Sequence, residues 1–152
     1  MRTPSGRYSL DRETALAVAG LLKEAGLNIK VRPDEWGVFF GDLKKRSVSA
    51  LYLMGQGNVW LDPYPQIAAF QRTGGFLSTW ADEELDALLD RSNEVRGDER
   101  AQVFGQALDR IRQTNAAVPL FALQALYGVS DAVTWEPRSD GHIFAFEMEI
   151  SE

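Results

Sequence analysis

The sequence predicts an α/β fold: a mostly parallel sheet with helices packed on it, plus closing antiparallel strands. Segments of helical and of strand periodicity alternate through the first third of the chain, and the connections between them are short. Parallel neighbours need a crossover, which a helix supplies. Two amphipathic helices and two apolar runs follow in the second half. No repeat, low-complexity tract or linker breaks the chain, so 1–152 is expected to form a single domain.

Each element has a local reason. Residues 1–9 read as an extended start in which Pro4 and Gly6 mark turns. Asp11 is a candidate N-cap, and Ala15, Val18, Leu22 and Ala25 share the face of a helix that Gly26 stops. Leu27, Ile29 and Val31 alternate with Asn28, Lys30 and Arg32, a half-buried strand closed by Pro33. Asp34 is then expected to cap a helix whose Trp36, Phe39, Phe40 and Leu43 form a core stripe, with Lys44, Lys45 and Arg46 at its C-terminal end. Residues 48–54, apolar and ended by Gly55, read as the central strand. A short helix is expected at 66–71, and longer ones begin at Asp82, with Leu85, Leu88 and Leu89 inward, and at Asp98, with Ala101, Phe104, Leu108 and Ile111 inward. Residues 118–129 and 142–148 are the expected closing strands, separated by a turn region at Trp135, Pro137 and Asp140-Gly141.

Composition narrows the function. A chain of 152 residues with 45% hydrophobic and 25% charged residues buries roughly 70% of its unfolded surface and holds a core without disulfides or a structural metal. With no cysteine and one histidine, disulfide frameworks, thiolate zinc sites and cysteine nucleophiles are excluded. A formal charge of −6, without a basic stripe, argues against nucleic acid as a partner. Residues 15–22 resemble a signal-peptide core, but Asp11, Glu13, Lys23 and Glu24 flank a run too short to cross a bilayer.

In open α/β sheets ligands gather outside the carboxyl ends of the strands. Here that directs attention to Gln56, Gly57, Asn58, Val59 and Trp60, a loop with glycine backbone for close approach, two amides and an indole. Gly55 and Gly57 lack the third glycine of a dinucleotide fingerprint, and Pro63 and Pro65 stand where its helix should open. Asp82, Glu83, Glu84 and Asp86 read as an acidic helix start. His142 reads as a surface residue, and no nucleophile elbow accompanies it. No cofactor or metal is expected. A small α/β enzyme using a carboxylate such as Asp62, or a stand-alone sensory domain, are the alternatives to a binding module.

The order of motifs resembles the C-terminal lobe of the extracytoplasmic solute-binding proteins of ABC importers, in the peptide, oligopeptide and nickel class. The likeness runs through Gly6-Arg7-Tyr8, Glu35-Trp36, Tyr52-Leu53-Met54-Gly55, Asp62-Pro63, Asp86-Ala87-Leu88-Leu89, Asp98-Glu99-Arg100, Val118-Pro119-Leu120-Phe121 and Tyr127-Gly128-Val129. It implies a periplasmic-binding-protein-like (type II) lobe, three-layered α/β/α, that captures a peptide-like or other polar solute without catalysis. It also implies an ABC permease as partner and a periplasmic or extracytoplasmic location. Many peptide binders of the family carry Gly-Trp-x-x-Asp in the loop after the central strand, where the aspartate pairs with the peptide ammonium. The tryptophan position is Gln56 here and the aspartate position is Val59, so free-amine peptides are disfavoured and an amide-rich loop suits hydroxyls, amides or carbonyls. Family members are much longer and include an N-terminal lobe. The chain is therefore expected to correspond to a fragment that folds, binds weakly alone and exposes an apolar strip.

Overall fold

A computed structural model describes residues 1–57 and 60–150. The fold is mixed α/β, with a small parallel sheet and a separate antiparallel pair. Two units form: Met1–Gln56 with Ala69–Ala81, and Gly57–Ala68 with Asp82–Glu152.

In the first unit, β1 (Arg2–Pro4) pairs in parallel with β2 (Arg32–Asp34), Arg2 opposite Arg32 and Pro4 opposite Asp34. On its other side Arg2 bridges Tyr52, also in parallel, through Arg2 N–H to the Leu51 carbonyl at 3.0 Å and Leu53 N–H to the Arg2 carbonyl at 2.8 Å. β1 therefore lies in the middle. The strand expected from Leu27 to Val31 is displaced to Arg32–Asp34, and the expected central strand at 48–54 contributes only the Tyr52 bridge. A buried ion cluster explains the displacement. The Arg2 guanidinium donates to Asp34 at 2.6 Å and to Asp42 at 2.8 Å, and Arg2 and Asp34 are both buried, so Asp34 must lie alongside β1. Pro33 sits inside β2 instead of closing a strand, a place an edge strand tolerates because no neighbour needs its N–H.

Helix α1 (Asp11–Glu24) buries Asp11, Ala15 and Ala19. Gly26, at φ +87°, ends it as expected. Leu27 N–H reaches back to the Leu22 carbonyl and Gly26 N–H to that of Lys23, a Schellman closure that only a residue tolerant of positive φ forms cheaply. Asp11 is the first helical residue, not the cap; Leu10 caps, in the left-handed region. Helix α2 (Trp36–Lys44) is capped by Glu35, whose carboxylate accepts from Val38 N–H at 3.2 Å, because Asp34 is committed to Arg2. The core of the unit joins Phe39, Leu43, Phe70 and Leu77. Trp36 and Phe40, expected in that core, are only half-buried against it.

In the second unit, α4 (Glu83–Glu94) packs on α5 (Gly97–Gln113) around Ile67, Leu85, Leu89, Phe104, Ala107 and Ile111. Asp82 caps α4 as expected, accepting from Leu85 N–H at 2.9 Å. Helix α3 (Pro63–Phe70) opens three residues before the expected position, since Pro63 suits a first helical turn and Asp62 accepts the Tyr64 N–H at 2.8 Å. It gives Ile67 to this core and Phe70 to that of the first unit.

The closing strands differ most from expectation. Only β3 (Val133–Thr134) and β4 (Glu149–Ile150) pair, antiparallel, and a 3₁₀ turn at Ala145–Glu147 interrupts the run expected as a strand over 142–148. Residues 117–130 pass without helix, turn or bend, and those at 117–129 make no backbone–backbone hydrogen bond among the described residues. Apolar alternation alone makes no strand where no neighbouring ladder exists. Val118, Leu120, Phe121, Leu123, Leu126, Tyr127 and Val129 are all exposed, Leu126 to 92%.

Candidate functional site

The turn entering α1 is organised by one carboxylate. Asp11 accepts from the backbone N–H groups of Arg7 at 2.9 Å, Tyr8 at 3.1 Å and Gly6 at 3.3 Å, and from its neighbour Arg12 at 2.8 Å. Burial opposes the Asp11 charge, but these four donors together outweigh it and hold the carboxyl below the usual aspartate range. Gly6 takes φ +73° and Leu10 φ +56° to bring the donors round.

Arg7 and Tyr8 are thereby presented on a rigid turn. The Arg7 guanidinium lies 5.2 Å from the Trp36 ring centre and 5.5 Å from that of Tyr8, while the two rings meet edge to face at 6.3 Å. Trp36 stacks on Phe40 at 5.0 Å, extending an aromatic shelf along α2. Burial raises the Tyr8 hydroxyl above its ordinary range. Gly55 passes flat against Tyr8, where a Cβ would lie 2.8 Å from two ring carbons. Gln56, the next residue, is exposed.

The remaining loop residues predicted to bind ligand divide. Gly57 is exposed in the second unit, and its carbonyl accepts from the Gln66 side-chain amide, so that acceptor is already engaged. Trp60 belongs to the same unit and is 71% exposed. Asn58 and Val59 lie outside the described residues. The structure thus brings Gly55, the residue before Gln56, against Tyr8, and joins Tyr8 to Arg7 and Trp36, three residues that the sequence does not mark as a site. The signal was Gly6 followed by Asp11, a turn glycine and a short acid spaced to collect the intervening N–H groups.

Asp62, the carboxylate of the enzyme alternative, is held by Arg100 at 2.8 Å and accepts the Tyr64 N–H as well. The Arg100 hydrogen bond, against a smaller desolvation effect, keeps its carboxyl below the usual range. Arg100 also donates to the Ser92 carbonyl at 2.9 Å and lies over Phe104. Asp62 is thus an ionised clamp between α5 and the start of α3. Beside it a shallow cleft of about 350 Å³ is lined by Ser92, Asn93, Arg96 and Arg100.

The acidic start of α4 behaves as a cap. Asp82 and Glu84 both bind Arg110, each at 2.9 Å, and Arg110 depresses the Asp82 carboxyl. His142 is exposed, stacked on Phe144 with ring centres 5.8 Å apart and its Nδ1 3.6 Å from Asp140. Among the described residues no cluster of three His, Asp or Glu side chains is spaced to hold a metal ion, and no helix is long and apolar enough to cross a membrane. The chain matches no family model, no curated protein and no solved structure.

Proposed function

We propose that the chain is the C-terminal, ligand-gripping lobe of an extracytoplasmic solute-binding protein serving an ABC importer, in the peptide, oligopeptide and nickel class, with a type II periplasmic-binding-protein architecture. The observation that carries this reading is the shelf of Arg7, Tyr8 and Trp36 on a turn that Asp11 organises, with Gly55 against Tyr8 and the exposed Gln56 next in the chain. Such an arrangement suits stacking and hydrogen bonding to a polar solute. Arg7 places a cation at the shelf, which disfavours a free ammonium on the solute and favours carbonyl, hydroxyl or carboxylate oxygens. A second lobe, ahead of this one in the intact receptor, would close over the shelf, and the permease would take the solute from the closed pair.

Titration of the ¹⁵N-labelled chain with a blocked dipeptide, a disaccharide and the free dipeptide tests the reading. Half the contact surface leaves affinity on the order of millimolar. The blocked peptide or the sugar should give saturable shifts at the amides of Arg7, Tyr8 and Gln56 and at the Trp36 indole, with the free dipeptide weaker. Saturable shifts confined to the Asp62–Arg100 cleft, or the free dipeptide binding best, would refute it.

A further inference from the structure

We infer that residues 117–130 form an intermolecular β-strand, and that its occupant is a second copy of this chain, paired antiparallel about a twofold axis at Gln124. The segment runs without helix, turn or bend, and its backbone groups at 117–129 have no backbone partner among the described residues. Residues 113–130 contain no charged side chain, in a chain whose formal charge is −6. Natural sheet edges are blunted by charges, bulges or prolines, and here only Pro119 serves that end. A strand with apolar side chains and free main-chain donors and acceptors is a template for strand addition.

The pattern of side chains selects the second copy. An antiparallel twofold pair requires that facing residues lie on the same side of the ribbon. With Gln124 opposite its own equivalent, Phe121 faces Tyr127 of the other copy, Leu123 faces Ala125, Leu126 faces Ala122 and Leu120 faces Gly128. Each leucine meets a glycine or an alanine, the two aromatic residues meet each other, and the two central amides face each other. Pro119, opposite Val129, falls at a non-hydrogen-bonded position when Gln124 occupies a hydrogen-bonded one, so its missing N–H costs nothing. The apolar residues of the strip stand open to a partner, Leu126 at 92% and Val118 at 72% exposure.

Sedimentation velocity on the intact chain across about 1 to 200 µM tests this. A dimer that dissociates on dilution is expected. Gln124→Lys and Gln124→Glu each place like charges face to face at the axis and should weaken the dimer about tenfold, while an equimolar mixture of the two restores it as a heterodimer. Unchanged thermal melts by circular dichroism would show that both variants fold, as exposed positions allow. A chain that stays monomeric at the highest concentration, as it would if the strip serves only another domain's sheet, overturns the inference. So does a ladder of larger species, or a dimer indifferent to both substitutions. The result is independent of the solute reading, since the strip and the Arg7 shelf share no residue.

Discussion

Gly55→Ala probes the close approach of Gly55 to the Tyr8 ring. A Cβ at this position would sit 2.8 Å from Cδ1 and Cε1 of Tyr8 and 3.3 Å from Cγ. Carbon pairs settle near 3.5–4.0 Å, so the ring must retreat by about 1 Å. It has little room, with Trp36 at its edge and Arg7 over its face. Overpacking of this kind costs about 1–3 kcal/mol. Gly55 is not among the residues at positive φ, so alanine also narrows the unfolded ensemble and returns about 0.4–1 kcal/mol. The net expectation is a destabilisation of about 1–2 kcal/mol, measured by urea unfolding followed by circular dichroism. In a Tyr8→Ala background the clash is gone, and the same substitution should become neutral or slightly stabilising. A cost of equal size in both backgrounds, or stabilisation in the parent chain, would show that Gly55 and Tyr8 are not coupled and would detach the loop from its shelf.

Other consequences are as direct. Asp34→Ala leaves Arg2 buried with Asp42 alone, a partner 33% exposed; a loss of about 2–3 kcal/mol is expected in urea unfolding, below the 3–5 of a fully enclosed broken pair. Leu89→Ala opens a void in the α4–α5 core, where Leu89 is fully buried, and should cost about 3–4 kcal/mol by the same assay. Asp11, Asp62 and Asp82 all bind protons less readily in the fold than in the unfolded chain. Their contribution is therefore complete at neutral pH and is lost as pH falls below about 5 towards their lowered folded values. The urea midpoint should drop through that window, and Asp82→Asn should flatten the drop while lowering the midpoint at pH 7.

Sequence periodicity located the helices because helices close their hydrogen bonds within themselves. Gly26 stops α1 and Asp82 starts α4 by chemistry that lies within a few residues of each. Strands answer to distant partners, and there the reading failed. Arg2 draws Asp34 to its side across more than thirty residues of sequence, moving the ladder past the apolar alternation at 27–31. The run at 118–129 has strand composition and no ladder among the described residues. At the candidate site, glycines and amides mark the loop in the sequence, and Gln56, Gly57 and Trp60 are exposed. The shelf was not legible, because Arg7 and Tyr8 acquire a role only when a saturated Asp11 fixes the turn and Trp36 comes up beneath it.

That saturation has a thermodynamic corollary. On the proposed reading, a guest arriving at Arg7 would meet a backbone already fixed by the start of α1, so little conformational freedom of the host would remain to be surrendered. Cutting the knot with Asp11→Ala should therefore weaken capture entropically, even though Asp11 itself never touches the guest.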